Sequence, residues 1–221
     1  MVGVQNAHVV ALLTRAPSAG GKSRLFHSLG ISPDPALLSA LLLDTLDGSA
    51  VPHARRVIAV TPSSACGEVR DLVGDIEVIA QPDGDLGERM RATMTTLFAA
   101  GASAVALIGS DLPHISGAPI EAAFDVLSRD AGALVLGPAW DGGYYLVAAR
   151  RVPDIFSGID WGGAHVLTQT VTAADLDGFR IHRVDVMRDV DTEDDLRRAV
   201  LGGRAPRTSA WLGRHVPRLL P

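Results

Sequence analysis

The sequence predicts an α/β fold, a mixed, mostly parallel sheet with helices on both faces. Three observations predict it. Short runs of branched apolar residues, the mark of strands buried on both faces, alternate with stretches of helical period. The clearest run, residues 104–111 (A-V-A-L-I-G-S-D), stops abruptly at a turn that Pro113 follows. Polar and glycine-containing motifs collect at the ends of these runs, and open α/β sheets bind ligands at the carboxyl ends of their strands.

Composition narrows the class. A chain of 221 residues can bury a sizeable core in one domain. Its apolar content of 47% and charged content of 20% exclude a disordered chain. A net charge of -5 argues against non-specific nucleic-acid binding, which needs a basic surface. The single cysteine, Cys66, rules out an internal disulfide and a cysteine zinc site, and it fits a reducing compartment. It lies in the polar stretch 62–67, where an inert thiol is expected. No segment reaches the roughly 18 apolar residues of a membrane span, and no basic-then-apolar leader opens the chain. The expectation is a cytoplasmic protein with one domain over residues 1–201. An Arg- and Pro-containing, loosely packed extension over 202–221 is expected to follow it.

Taken in order, residues 8–15 (H-V-V-A-L-L-T-R) read as the first strand. The loop after it contains Gly20-Gly21-Lys22-Ser23-Arg24. Glycines let backbone N–H groups approach an anion, Lys22 and Arg24 add positive charge, and a helix start nearby would add its dipole. This is a candidate phosphate loop. It is not a P-loop, because the first glycine of that motif would have to stand at Arg15 or Ala16. Asp34 followed by Pro35 caps an apolar helix over 34–46. Strands are expected over 55–61 and 76–81, with a short helix over 68–73 between them.

The turn after the third strand holds Gln81, Gly87, Glu88 and Arg89. Asp85 caps a helix running to about residue 100, in which Met90, Met94 and Leu97 recur at core spacing. The central strand then delivers Asp111, for which two roles stand open: turn cap or ligand-site carboxylate. A helix over 118–128 and a strand over 133–137 lead into Asp141-Gly142-Gly143-Tyr144-Tyr145. Adjacent glycines beside Asp and aromatics fit either a tight hairpin or a close backbone approach to a ligand. A strand over 144–149, a helix over 164–174, a half-exposed strand over 179–186 and a helix from Thr192 to residue 201 complete the reading. Asp189 and Asp191 stand in the turn before that last helix.

Asp111 and Asp191 lie far apart in sequence, so only tertiary folding can bring them together. Together they suit one hard divalent cation, Mg²⁺ or Mn²⁺, which takes one or two carboxylates plus substrate phosphates and water. Lys22 and Arg24 would neutralise the same phosphates. The histidines show no metal-ligand spacing.

Five motifs now carry a resemblance: 22–25 (K-S-R-L), 84–90 (G-D-L-G-E-R-M), 109–113 (G-S-D-L-P), 137–146 (G-P-A-W-D-G-G-Y-Y-L) and 189–192 (D-V-D-T). In this order the chain resembles the bacterial GT-A-like family of nucleotide-diphospho-sugar transferases, including the arsenosugar-biosynthesis type. The resemblance covers roughly residues 8–201. It implies a three-layer Rossmann-like GT-A fold, a nucleotide on the first half of the sheet, and Asp111 with Asp191 as metal ligands. It departs from the family at two points. Arg15 replaces a lysine in a first loop one residue shorter, and Gly162-Gly163 stand where a Ser-Thr pair is common.

The expected function is metal-dependent transfer of a sugar from a nucleotide-diphospho-sugar to a small-molecule acceptor. Lys22, Arg24, Gln81, Gly87 and Arg89 would bind the nucleotide and its phosphates. Gly142, Gly143, Tyr144 and Trp161 would shape the substrate pocket, and Asp141 would act as base. A second expectation, similar to 2-phospho-lactate guanylyltransferases on the strength of 22–25, is nucleotidyl transfer from NTP to a phosphorylated small molecule with loss of pyrophosphate. A third is a non-catalytic nucleotide-binding protein. Neither a nucleic-acid partner nor a membrane span is expected.

Overall fold

The computed structural model describes residues 8–220. The expectation about a leader falls on residues that lie outside these. Among the described residues the strands are β1 (His8–Arg15), β2 (Ala54–Thr61), β3 (Glu77–Ala80), β4 (Ala104–Gly109), β5 (Ala133–Pro138), β6 (Tyr144–Ala149) and β7 (Arg180–Arg183). The helices are α1 (Ser23–Leu29), α2 (Pro35–Gly48), α3 (Cys66–Val73), α4 (Leu86–Ala99), α5 (Ala118–Arg129), α6 (Val166–Leu176), α7 (Glu193–Leu201) and α8 (Pro206–His215).

The strands form one sheet in the order β3-β2-β1-β4-β6-β5-β7. Pairing is parallel except at β6, which runs antiparallel to both β4 and β5. The cause is local. The connection from β5 to β6 is too short for a crossover helix, so the two must reverse direction. The α/β class with a mixed, mostly parallel sheet is thus present as expected.

Sequence sets the helix starts. Asp34 accepts from Ala36 N at 2.8 Å ahead of Pro35, and Asp85 and Glu88 form a reciprocal capping box at the start of α4. Thr192 and Asp195 do the same for α7. One sheet face buries Leu42, Leu46, Val69 and Phe124, and the other buries Met90, Met94, Leu97 and Phe156. Each such side chain contributes roughly 1.5–3 kcal/mol. β7 is shorter than expected: its ladder with β5 ends at Leu136 and Arg183, and the two segments meet again only at the isolated bridge Ala139–Met187.

A third core overturns the expectation of a loose tail. Leu25, Phe26 and Leu29 of α1, Leu37 and Leu41 of α2, Leu196 and Val200 of α7, and Trp211 and Leu212 of α8 pack together. Trp211 is 1% exposed and donates from Nε1 to Asp34 Oδ2 at 2.8 Å. The buried carboxylate of Asp44 accepts from Thr208 N and Thr208 Oγ1, both at 2.8 Å. A buried Asp needs such partners, and α8 supplies them. This core fastens α1, which follows Lys22, to α7, which follows Asp191. Among the described residues no helix is long and apolar enough to cross a membrane.

Candidate active site

The loop after β1 turns on three consecutive positive-φ residues, Gly20 (70°), Gly21 (126°) and Lys22 (54°). Glycine accepts this backbone freely, whereas Lys22 in it costs about 1–2 kcal/mol. The arrangement sends the Lys22 side chain back across the carboxyl edge of the sheet. Its Nζ lies 2.8 Å from Asp111 Oδ2 and 2.7 Å from Asp191 Oδ1. Arg24 Nη2 holds the other oxygen, Asp191 Oδ2, at 2.8 Å. The two carboxylates therefore meet, and they meet on the lysine. Burial works against the ammonium's charge, but Asp111 and Asp191 outweigh it and hold its pKa above the usual lysine value.

Both carboxylates are set by their neighbours. The buried Thr45 of α2 brackets Asp111, its Oγ1 lying 3.0 Å from Ser110 O and accepting from Leu112 N at 3.1 Å. Val190 N donates to Asp111 O at 3.0 Å, tying the two loops together. Asp195 Oδ2 accepts from Asp191 N at 3.3 Å and Thr192 N at 2.9 Å, which fixes the backbone of Asp191. Asp189, lodged nearby, has its pKa raised by burial first and by Asp191 and Asp141 next, against a lowering by Lys22.

A bipartite cleft opens beside this point. One hollow, about 340 Å³, is lined by Thr14, Arg15, Thr61, Gln81 and Arg89. The other, about 230 Å³, is lined by Ala139, Asp141, Gly143, Trp161, Gly162, Gly163 and Asp189. Leu86, Met90, Gly109, Asp111, Tyr144 and Tyr145 border both.

The expected site residues distribute unevenly over this cleft. Gln81 is 3% exposed and braces the strand ends, its Nε2 donating to Thr14 O at 3.1 Å and Ala59 O at 2.6 Å. Gly87 faces the wall of the second hollow. A Cβ there would collide with Phe156 O and stand 2.7 Å from Trp161 Nε1. Arg89 lines the first hollow, its Nε bonded to Asp85 O at 3.2 Å. Gly142 adopts φ 93° and lies against Ala164, while its carbonyl accepts from Leu167 N at 2.9 Å. Asp141 is exposed, and its Oδ1 accepts from Gly143 N at 3.0 Å, closing the turn. Tyr144 and Trp161 stand edge to face, centroids 6.3 Å apart.

Sequence reasoning missed Thr45, which looks like one more residue of an apolar helix, and it treated Arg15 only as a substitute. Asp195 carried a signal, since a carboxylate three places after a capping Thr announces a capping box. Among the described residues no group of three or more His, Cys, Asp or Glu side chains is arranged to hold a metal. The pair Asp111 and Asp191 fits a hard cation that takes its remaining ligands from phosphate and water.

A solved structure from Desulfovibrio desulfuricans G20, assigned as a nucleotide-diphospho-sugar transferase, is similar over 97% of this chain and 98% of its own, with 27% identity and a TM-score of 0.84. Fold and cleft together with this likeness define the class: an α/β enzyme of the nucleotide-dependent transferase kind. A "Phosphoenolpyruvate guanylyltransferase" of Salinispora arenicola (strain CNS-205) is 30% identical over 203 residues, covering 89% of each chain. Residues 45–163 match the model of the family described as "Uncharacterized protein conserved in bacteria (DUF2064)". The chain belongs to that family. Rv0371c of Mycobacterium tuberculosis H37Rv, solved in complex with manganese, shares the fold alone, at 18% identity over 88% of this chain and 98% of its own with a TM-score of 0.50.

Proposed function

We propose that this enzyme is a nucleotidyltransferase, which joins a nucleoside triphosphate to a small phosphorylated acid and releases pyrophosphate. The observation that carries the reading is the convergence of Lys22, Asp111 and Asp191 on one point at the junction of two hollows. A triphosphate in the first hollow meets Arg15 and Arg89 there, with Lys22 and Arg24 at its phosphates. An acceptor in the second hollow meets it at the same junction. The resemblance to a phosphoenolpyruvate guanylyltransferase supports guanine as the base and a phosphorylated acid such as phosphoenolpyruvate as the acceptor.

In this reaction an acceptor phosphate oxygen attacks the α-phosphorus. The bond from that phosphorus to the bridging oxygen of the β-phosphate breaks, and its electron pair leaves with pyrophosphate. Asp111 and Asp191 would hold Mg²⁺ or Mn²⁺, which when bound supplies positive charge to the phosphates in transit. Lys22 and Arg24 offset the charge developing on the leaving pyrophosphate. A phosphate acceptor arrives ionised, so no base has to take its proton.

Sugar transfer, the first expectation from sequence, is the less supported reading. By an inverting route it needs a base for an acceptor hydroxyl, and Asp141 has one carboxylate oxygen committed to Gly143 N in an exposed turn. The Desulfovibrio neighbour keeps it as the rival. A thermal-shift screen separates the two, because a ligand specific for the native state raises its apparent stability. GTP with Mn²⁺ should raise Tm more than any nucleoside diphospho-sugar. The opposite order would reverse the assignment, and no shift with either would refute nucleotide binding.

A further inference from the structure

The position that a divalent cation would take between Asp111 and Asp191 is held by part of the protein itself. Lys22 Nζ touches one oxygen of each carboxylate, at 2.8 Å and 2.7 Å, and its side chain is only 14% exposed. We infer that Lys22 is a tethered counter-cation that closes the carboxylate pair until nucleotide phosphates draw it aside, so that metal and nucleotide load together. This rests on the reading of Asp111 and Asp191 as the metal-holding pair.

Electrostatics gives the device its logic. Two carboxylates converging on one point repel each other, and in the absence of a partner cation both would be held near each other at a cost. The lysine removes that cost and keeps the oxygens oriented. It also excludes free metal, since a dication entering the same space would stand within a few ångströms of an ammonium of like sign. A triphosphate changes the balance, because it offers Lys22 a stronger anionic partner in the adjoining hollow, whose lining already includes Asp111. Asp191 does not lose all its support when Lys22 leaves, as Arg24 stays on its other oxygen.

The loop leaves open space beside the lysine's approach. Two glycines precede it at φ 70° and 126°, and a Cβ at Gly20 would meet nothing within 4 Å. Lys22 itself sits in the left-handed region, a conformation that only its surroundings sustain. The charged groups facing the ammonium are Asp111 and Asp191 in contact and Asp189 farther off. Once the first two are engaged by metal, little holds the lysine in place. An ordinary phosphate-binding lysine makes no such prediction about metal in the absence of nucleotide.

The test measures Mn²⁺ binding to nucleotide-free protein through the loss of the free-ion EPR signal. Lys22→Met should bind Mn²⁺ about tenfold more tightly than the native protein, because the competing like charge is gone. Lys22→Gln, which still offers hydrogen bonds to both carboxylates, should move in the same direction if Met perturbs the loop. Adding Asp191→Asn to Lys22→Met should return binding to the native level. Equal or weaker Mn²⁺ binding by both Lys22 variants overturns the inference while leaving the metal pair standing. A separate arm adds GTP to the native protein. If Asp111→Asn and Asp191→Asn leave Mn²⁺ retention there unchanged, the metal pair itself falls, and the inference with it.

Discussion

Beyond the border they share, the two halves of the cleft carry opposite charge. Arg15, Lys22, Arg24 and Arg89 stand in and beside the first hollow. The second has Asp141, Asp189 and Trp161 beyond the tyrosines that border both, and none of its lining residues is basic. A half that works by positive charge can recognise any triphosphate end and needs little shape. A half walled by Trp161 and glycines selects by steric fit, and because its own charges are acidic an anionic acceptor there would take its countercharge from Lys22 and Arg24 at the border. On the proposed reading, the difference separates a half that holds phosphate charge from a half that fits the acceptor. It also places the carboxylate pair at the border, where Asp111 belongs to both.

The largest effect should come from breaking that border. Asp111→Asn or Asp191→Asn should lower kcat by about 10²–10³, with the double variant little worse than either alone, as for groups acting as a unit. Single-turnover kinetics would check it. Next comes the wall of the second half. Gly87→Ala drives a methyl against Trp161 and Phe156 O, and overpacking of this kind costs about 1–3 kcal/mol. Urea unfolding should show the loss, and KM for the acceptor should rise while KM for the nucleotide holds.

Arg89→Ala tests the first half alone. It should raise KM for the nucleotide roughly tenfold, one charge-assisted contact's worth, with acceptor KM unchanged. Thr45→Val removes the hydroxyl that brackets Asp111. A net hydrogen bond of this kind is worth about 1 kcal/mol in stability, and kcat should fall with KM little changed.

The smallest effect should be at Asp189. Its folded-state pKa is raised, chiefly by burial. A raised carboxyl favours the fold most below its unfolded pKa, and that contribution is lost as pH rises through the folded value. Asp189→Asn should therefore raise Tm at pH 7, with the gain shrinking as the buffer is taken down into the usual carboxylate range.

The sheet and most helices were legible because burial writes itself into period and caps announce themselves. The runs at β1, β2 and β4 and the capping residues Asp34, Asp85 and Thr192 all stand where the sequence placed them. The tail was not legible. Trp211 amid arginines and prolines gives no helical period strong enough to betray a core, and its partner Asp34 lies at the other end of the chain. Asp111 and Asp191 were legible as candidates, since motif order pointed at them. That they meet on Lys22 was not, because the Lys22–Asp191 pair alone spans 169 positions and both pairs depend on the left-handed turn at Gly20–Lys22. Thr45 could not be found at all by pattern, as a lone Thr in an apolar helix reads as core.

The most direct test follows the α-phosphorus. GTP labelled there is incubated with Mg²⁺ and a panel of phosphorylated small acids, and the label and the leaving group are tracked together. The account predicts label joined to the acid, one pyrophosphate released per product formed, and both lost in Asp191→Asn. Release of a nucleoside diphosphate from a nucleotide-sugar, with no pyrophosphate formed from GTP, would contradict it.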